Sequence, residues 1–222
     1  MRQVGIHDLA NEFARQGGQW GHLVDARLQA VLNERPISVL DLGCSNGVYV
    51  RALNAKGIPA FGIDMLGSDA WATGGRYVRG DVGHPPIAGQ SVDTVIAFEV
   101  LEHLPDPLQA LREWRRICRR AVVLSVPNGE TPRALAAAGL TFFHWTDRTH
   151  INHFDEANLR GLLAEAGFNV RFVRGILPVL PALPFLVAAG ISLRPAAKAA
   201  QLFNRLSPRR WHLSLLAVAV RS

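Results

Sequence analysis

Apolar residues along the chain fall into short runs separated by stretches of helical period. Ile37–Leu42, Ala60–Asp64, Arg76–Val78, Val92–Phe98 and Ala121–Val126 read as the first five strands. Between them, Val48–Lys56 and Pro107–Cys118 carry apolar positions three and four apart and predict helices. Glu156–Ala166 predicts another helix, stopped by Gly167. Asn169–Val173 and Trp211–Val220 follow as the last two strands. Upstream, residues 7–16 and 22–34 predict amphipathic helices around Gly17-Gly18, so 1–36 form an N-terminal helical cap. Strands alternating with helices imply a doubly wound α/β sheet, Rossmann-like, with helices on both faces. The 222 residues suit a single domain, 1–222, able to bury its own core.

The first strand carries the most specific pattern. Val39-Leu40-Asp41-Leu42-Gly43-Cys44-Ser45-Asn46-Gly47 climbs to an acid and breaks into a turn of small residues, and a helical pattern resumes at Val48. That order places a nucleotide-like ligand at the carboxyl end of a strand, against a helix N-terminus. Asp64 ends the second strand, where a carboxylate can accept from both ribose hydroxyls; the alternative is a helix cap or turn acid. Asp81, in Arg79-Gly80-Asp81-Val82, can accept from an exocyclic amine while Val82 packs on a base; the alternative is a turn aspartate. The turn lacks the G-x-G-x-x-G spacing of a dinucleotide site, which argues against a dehydrogenase.

Taken together, these residues resemble the class I S-adenosylmethionine-dependent methyltransferases, in particular the small-molecule and quinone type (methyltransferase type 11-like). Asp41–Gly47 looks like that family's first motif and Phe61-Gly62-Ile63-Asp64-Met65 like its second. Phe98-Glu99-Val100-Leu101-Glu102-His103-Leu104-Pro105-Asp106-Pro107 resembles the segment after its fourth strand, and Ala121–Pro127 its fifth strand. Ser45 departs from the pattern, standing where many members carry glycine. The resemblance implies a seven-stranded sheet, mostly parallel, whose antiparallel last strand lies between strands five and six. It implies S-adenosyl-L-methionine as cofactor, with Asp41, Gly43, Ser45 and Gly47 around the methionine end and Cys44 also among the cofactor-binding residues. It also implies Asp64 at the ribose with Met65 among the cofactor-binding residues, Asp81 and Val82 at the adenine, and Phe98 and Glu99 beside the sulfonium.

Methyl transfer from a sulfonium is an in-line displacement, so catalysis is mainly positioning, with a base where the acceptor must lose a proton. His103, just after the fourth strand, and His150, in Thr149-His150-Ile151-Asn152-His153-Phe154, are the candidate catalytic residues. Their structural alternatives are bracing the loop that carries Glu99 and Glu102, and bonding the loop backbone. Glu99, Glu102 and His103, with His150 or His153, also make a donor set for a divalent cation. That set resembles the metal site of small-RNA 3′-terminal 2′-O-methyltransferases. The primary reading assigns no metal and expects transfer to an oxygen of a small or lipophilic metabolite. The alternatives are the metal-dependent RNA 2′-O-methyltransferase and an inactive cofactor-binding scaffold.

Composition adds compartment and partners. Two cysteines, Cys44 and Cys118, make no disulfide framework and fit a reducing cytoplasm. Met1–His7 shows no apolar core of signal-peptide length. A net charge of +6 admits polyanions or anionic membrane surfaces as partners, the alternative being a basic surface on an ordinary enzyme; the charge clusters at Arg112–Arg120 and near the C-terminus. The 19 uncharged residues between Arg174 and Arg194 reach the length of a membrane span. Pro178, Pro181 and Pro184 break such a helix, and both flanking strands return to one sheet. The stretch 175–210 is therefore expected as an insertion before the last strand. It is either a lid or dimer surface, or an interfacial element whose Arg194, Lys198, Arg205, Arg209 and Arg210 meet anionic headgroups. The expected partners are a small-molecule or lipophilic acceptor and a membrane surface contacted peripherally through 175–210. A homodimer is admitted, and nucleic acid is not expected.

Overall fold

The computed structural model describes residues 24–130, 147–179, 182, 186–187, 189–206 and 211–222; of Thr73, Leu193, Asn204 and Arg205 it describes the main chain only. In chain order the elements are α1 (Asp25–Asn33), β1 (Val39–Leu42), α2 (Val48–Asn54), β2 (Ala60–Asp64), a 3-10 turn (Asp69–Thr73) and β3 (Arg76–Arg79). There follow β4 (Val92–Phe98), a second 3-10 turn (Leu101–His103), α3 (Pro107–Ile117), β5 (Cys118–Pro127), α4 (Glu156–Glu165), β6 (Phe168–Pro178), α5 (Leu193–Leu206) and β7 (His212–Arg221). The seven strands form one sheet in the order β3-β2-β1-β4-β5-β7-β6. Six run in the same direction; β7 alone is reversed, antiparallel to both β5 and β6. The expected seven-stranded α/β sheet is the one observed.

The alternation of side chains along each strand builds two cores. Leu40, Leu42, Val95, Ala97, Val122 and Leu124 pack with Leu111, Trp114 and Ile117 of α3 and Leu159 and Leu163 of α4. Their neighbours Val39, Ile96, Phe98, Val123, Leu216 and Val218 pack with Leu28 and Val31 of α1 and Val50 and Leu53 of α2 on the other face. The central strands are buried on both sides, which is why they read as unbroken apolar runs. Helix starts follow local chemistry: the Asp106 carboxylate accepts from the Gln109 amide with Pro107 in the first turn, and Asp155 and Asn158 form a reciprocal capping box on α4.

The termini of several elements shift. β1 starts at Val39 rather than Ile37, and β5 starts at Cys118, directly at the end of α3. The larger change is β6, which continues through Gly175, Ile176 and Leu177 to Pro178, pairing there with His212. β6 is the sheet edge, so a proline at its end removes no ladder donor the sheet needs. Gly175 has no Cβ because the His212 ring fills that space. The connection before β7 therefore begins after Pro178, not at 175, and it carries a helix, α5, that the proline pattern hid. The expected helix at 7–16, the rest of 1–23, and Leu180 and Phe185 in the apolar stretch lie outside the described residues. Among the described residues no helix is long and apolar enough to cross a membrane.

Trp114 joins the first core to the β3–β4 connection. Its ring is fully buried and its indole N–H donates to the Val82 carbonyl at 2.7 Å. Trp114→Phe is expected to lower the unfolding free energy by about 1–3 kcal/mol, from an unsatisfied buried carbonyl and a small cavity. Urea unfolding followed by circular dichroism measures this; an unchanged midpoint and slope would count against the anchoring role.

Candidate functional site

The carboxyl ends of β1, β2 and β4 lie side by side at one end of the sheet. After β1 the chain turns within van der Waals contact of its neighbours. Gly43 has φ 72°, and a Cβ there would run into the Val100 methyl. Gly47 has φ 76° and caps α2 from the left-handed region; a Cβ there would run into the Tyr77 hydroxyl. The Gly43 and Cys44 amides both donate to the Ile63 carbonyl, at 2.8 and 3.2 Å. Ser45, at the departure from the family pattern, also sits in the left-handed region at φ 46°.

Asp64 fixes that turn. Its Oδ2 accepts from the Ser45 amide at 2.9 Å and its Oδ1 from the Leu66 amide at 2.9 Å. Two aromatic residues that the sequence reading missed complete the brace. The Trp71 indole donates to the Ser45 carbonyl at 2.8 Å, and Trp71 stacks on Tyr77 at 5.1 Å between centroids. The Tyr77 hydroxyl donates to the Gly47 carbonyl at 3.4 Å. Neither belongs to a motif, and the turn they brace lies 26 and 30 positions away in sequence. Beneath the turn, Asp41 is buried and its Oδ2 has no hydrogen-bond partner. Burial, then the Asp64 charge, push its pKa well above the usual carboxylate range. The same burial, with Asp41 and Asp64 nearby, keeps the Cys44 thiol protonated.

The remaining predicted cofactor residues divide. Asp81 is exposed at the end of β3, and its carboxylate lies below the usual range because it accepts from the Gly83 amide at 2.7 Å, with His84 Nδ1 at 3.2 Å. Val82 packs into the core rather than presenting its side chain at the surface. Met65 and Leu66 are exposed at the mouth. Phe98 lies against Tyr49, with ring centroids 4.7 Å apart.

A residue of α1 closes this side. Arg27 is 3% exposed, lies 5.5 Å over the Phe98 ring and pairs with Glu99. Glu99 is held at φ 57°, its carboxylate also accepting from the Ser125 hydroxyl at 2.9 Å. Arg27 was missed because it belongs to no motif. Its available signal was a lone arginine beside Leu28 and Val31 on the buried side of a helix.

Beyond Glu99, the loop 147–154 is stapled to the 3-10 turn. The Glu102 carbonyl accepts from the Ile151 and Asn152 amides at 3.0 and 3.1 Å, and the Asn152 side chain donates to the Leu104 carbonyl at 2.7 Å. His103 Nδ1 lies 3.0 Å from the Thr149 carbonyl, which can only accept, so Nδ1 is a donor and, in the neutral ring, Nε2 is the nitrogen with the lone pair. The His103 and His150 rings meet edge to face at 4.8 Å. Between them the Glu102 carboxyl is buried, neither oxygen having a hydrogen-bond partner, and burial followed by the Glu99 charge raises its pKa well above the usual range. Donor atoms of Glu102, His103 and His150 lie within 4.8 Å of one another, a spacing that one cation can bridge. Glu99 is turned to Arg27 and Ser125, and His153 stands outside this group. The structure thus brings together His103 and His150, and three of the five donors named from sequence.

The chain matches the methyltransferase-domain family over residues 12–172. It is 30% identical over 145 residues to a probable S-adenosylmethionine-dependent methyltransferase of Mycolicibacterium smegmatis, covering 62% of this chain and 54% of that one. It is 33% identical over 85 residues to a ubiquinone biosynthesis O-methyltransferase of Vibrio vulnificus, covering 33% of this chain and 36% of that one. The chain thus spans about a third to a half of the length of these curated relatives. A solved structure of a SAM-dependent methyltransferase from Archaeoglobus fulgidus superposes with a TM-score of 0.66 at 20% identity, covering 96% of this chain and 99% of that one; this is a likeness of fold.

Asp41 generates a pH-dependent expectation. Its folded-state pKa is raised, so its contribution to stability is fullest at acid pH and is lost as pH rises past the ordinary aspartate value of about 4. Asp41→Asn removes that loss. The variant is expected to unfold at higher urea than the parent at neutral pH, with the difference closing toward pH about 4. Parallel stability profiles for the two proteins would contradict a buried, destabilised carboxyl.

Proposed function

The chain belongs to the methyltransferase-domain family, and on that basis we propose that it transfers a methyl group from S-adenosylmethionine to an oxygen of a small or lipophilic metabolite. One observation carries the cofactor assignment: the left-handed glycine turn after β1, held by the Asp64 carboxylate on the Ser45 amide. The residues fit this cofactor. The turn is a cradle that a Cβ at Gly43 or Gly47 would crowd, and an unpartnered Asp41 oxygen lies beneath it. The half-exposed Asp64 carboxylate leaves negative charge at the turn, which favours a ligand bearing positive charge.

In this reading Asp41, Gly43, Ser45 and Gly47 receive the methionine end, Asp64 the ribose and Asp81 the adenine, with Cys44 and Met65 beside them; Val82, buried in the core, presents no side chain to the base. Phe98 and Glu99 line the sulfonium side. When bound, the cofactor supplies an electrophilic methyl group whose leaving thioether needs no acid. The protein's work is then to orient the acceptor and, for a hydroxyl, to take its proton. His103 is partly exposed and in its neutral ring Nε2 has the lone pair, and His150 supports it at the ring edge. The name of the Vibrio vulnificus relative, an O-methyltransferase, is consistent with an oxygen acceptor.

A second reading is favoured by the Glu102, His103 and His150 donors: metal-dependent 2′-O-methylation of an RNA 3′ end. It predicts activity that a chelator abolishes.

Incubation of the protein with methyl-labelled cofactor and fractionated lipid, small polar and RNA pools separates these readings. Label is expected in the lipid or small polar pool and to survive chelation. Chelator-sensitive label confined to RNA would overturn the primary reading, and tight binding without label in any pool would indicate a scaffold. Asp64→Ala is expected to weaken cofactor binding by about 1–3 kcal/mol through lost charge-assisted hydrogen bonds. Unchanged affinity by calorimetry would remove Asp64 from the site.

A further inference from the structure

Charge is divided unevenly along this chain. Residues 1–165 carry sixteen Lys and Arg against eighteen Asp and Glu, whereas residues 166–222 carry eight against none. The whole basic excess therefore sits in the part that forms β6, α5 and β7. Within it, and among the described residues, α5 leaves an apolar side exposed. Ala196 and Ala200 are buried, while Leu202 and Phe203 are each 60% exposed and Leu206 is 77% exposed. Val187 and Ile191, just before the helix, are also exposed. At 3.6 residues per turn, Arg194, Lys198, Leu202 and Leu206 form a single line along the helix, with Phe203 beside it. Exposed Arg194 and Lys198 thus border the apolar side.

We propose that the exposed side of α5 docks on an anionic lipid surface, with Leu202, Phe203 and Leu206 entering the headgroup boundary and Arg194 and Lys198 meeting lipid phosphates. The chemistry is that of an interfacial helix: an apolar arc for insertion and a cationic border for the negative surface. A second copy of the chain is a poorer occupant, because a two-fold contact through this side would set Arg194 and Lys198 near their own images with no acid in the segment to offset them. The placement is useful to the site. The connection bearing α5 leaves β6 at Pro178 and enters β7 at His212, next to the pairing of Pro127 with Ser214. That is the carboxyl end of β5, the sheet end that also carries Glu99, so docking brings that end of the sheet toward the lipid. The inference stands apart from methyl transfer: vesicle binding without turnover leaves it intact, and turnover without vesicle binding removes it.

Co-sedimentation of the full chain with phosphatidylcholine vesicles, alone or mixed with phosphatidylglycerol, tests it. Binding is expected to the mixed vesicles, to fall with added salt, and to be much weaker to phosphatidylcholine alone. Replacing both cations, Arg194→Gln with Lys198→Gln, should lower partitioning roughly thirtyfold. Leu202→Ser, Phe203→Ser and Leu206→Ser combined should abolish it while leaving the circular dichroism spectrum and melting temperature unchanged, since these side chains are exposed. No binding to the mixed vesicles, or equal binding by parent and variants, would overturn the proposal. So would a dimer that the serine variant dissolves in the absence of any vesicle binding.

Discussion

One carboxylate holds the two loops on which the site is built. Asp64 reaches the Ser45 amide with one oxygen and the Leu66 amide with the other, tying the turn after β1 to the turn after β2. It can do so because parallel pairing sets Leu42 beside Ile63, so the two strands end level. The Ile63 carbonyl then takes the Gly43 and Cys44 amides, and the chain is bent over Asp64. Each downstream feature depends on that bend: the glycine cradle against Val100 and Tyr77, the stacked Trp71 and Tyr77, and the start of α2 at Gly47.

The region concentrates strain and burial where a ligand is proposed to sit. Ser45 and Glu99 are both non-glycine residues in the left-handed region, a conformation that surrounding bonds must sustain. For Ser45 those bonds are Asp64 and Trp71; for Glu99 they are Arg27 and Ser125. Asp41 and Glu102 add buried carboxyls lacking full hydrogen-bond partners. Such features lower stability and are commonly retained where binding or catalysis needs them. Among the described residues, Arg27 is the one buried arginine or lysine set among these acids, and it arrives from α1, so the helix before the sheet also offsets the Glu99 charge.

How much of this was legible in the sequence follows from how local each cause is. β2 and β4 were read with their observed ends because apolar runs, glycines and acids mark them directly. The antiparallel β7 between β5 and β6 followed from family resemblance, since no local pattern states strand direction. The histidine pairing was half legible. His103 and His150 were named, but the staple that brings them together, Asn152 on the 3-10 turn, joins residues about 50 positions apart. Trp71, Tyr77 and Arg27 were invisible for the same reason, each acting on a loop distant in sequence. The prolines misled at β6 because an edge strand tolerates what a central strand would not.

A crystal structure of the protein with S-adenosylhomocysteine would test the central claim most directly. The expected result is a ligand lying over the Gly43–Gly47 turn, its ribose on the Asp64 carboxylate and its adenine beside Asp81, with Arg27 still paired to Glu99. A ligand bound elsewhere, or one that leaves Asp64 and the turn untouched, would contradict it.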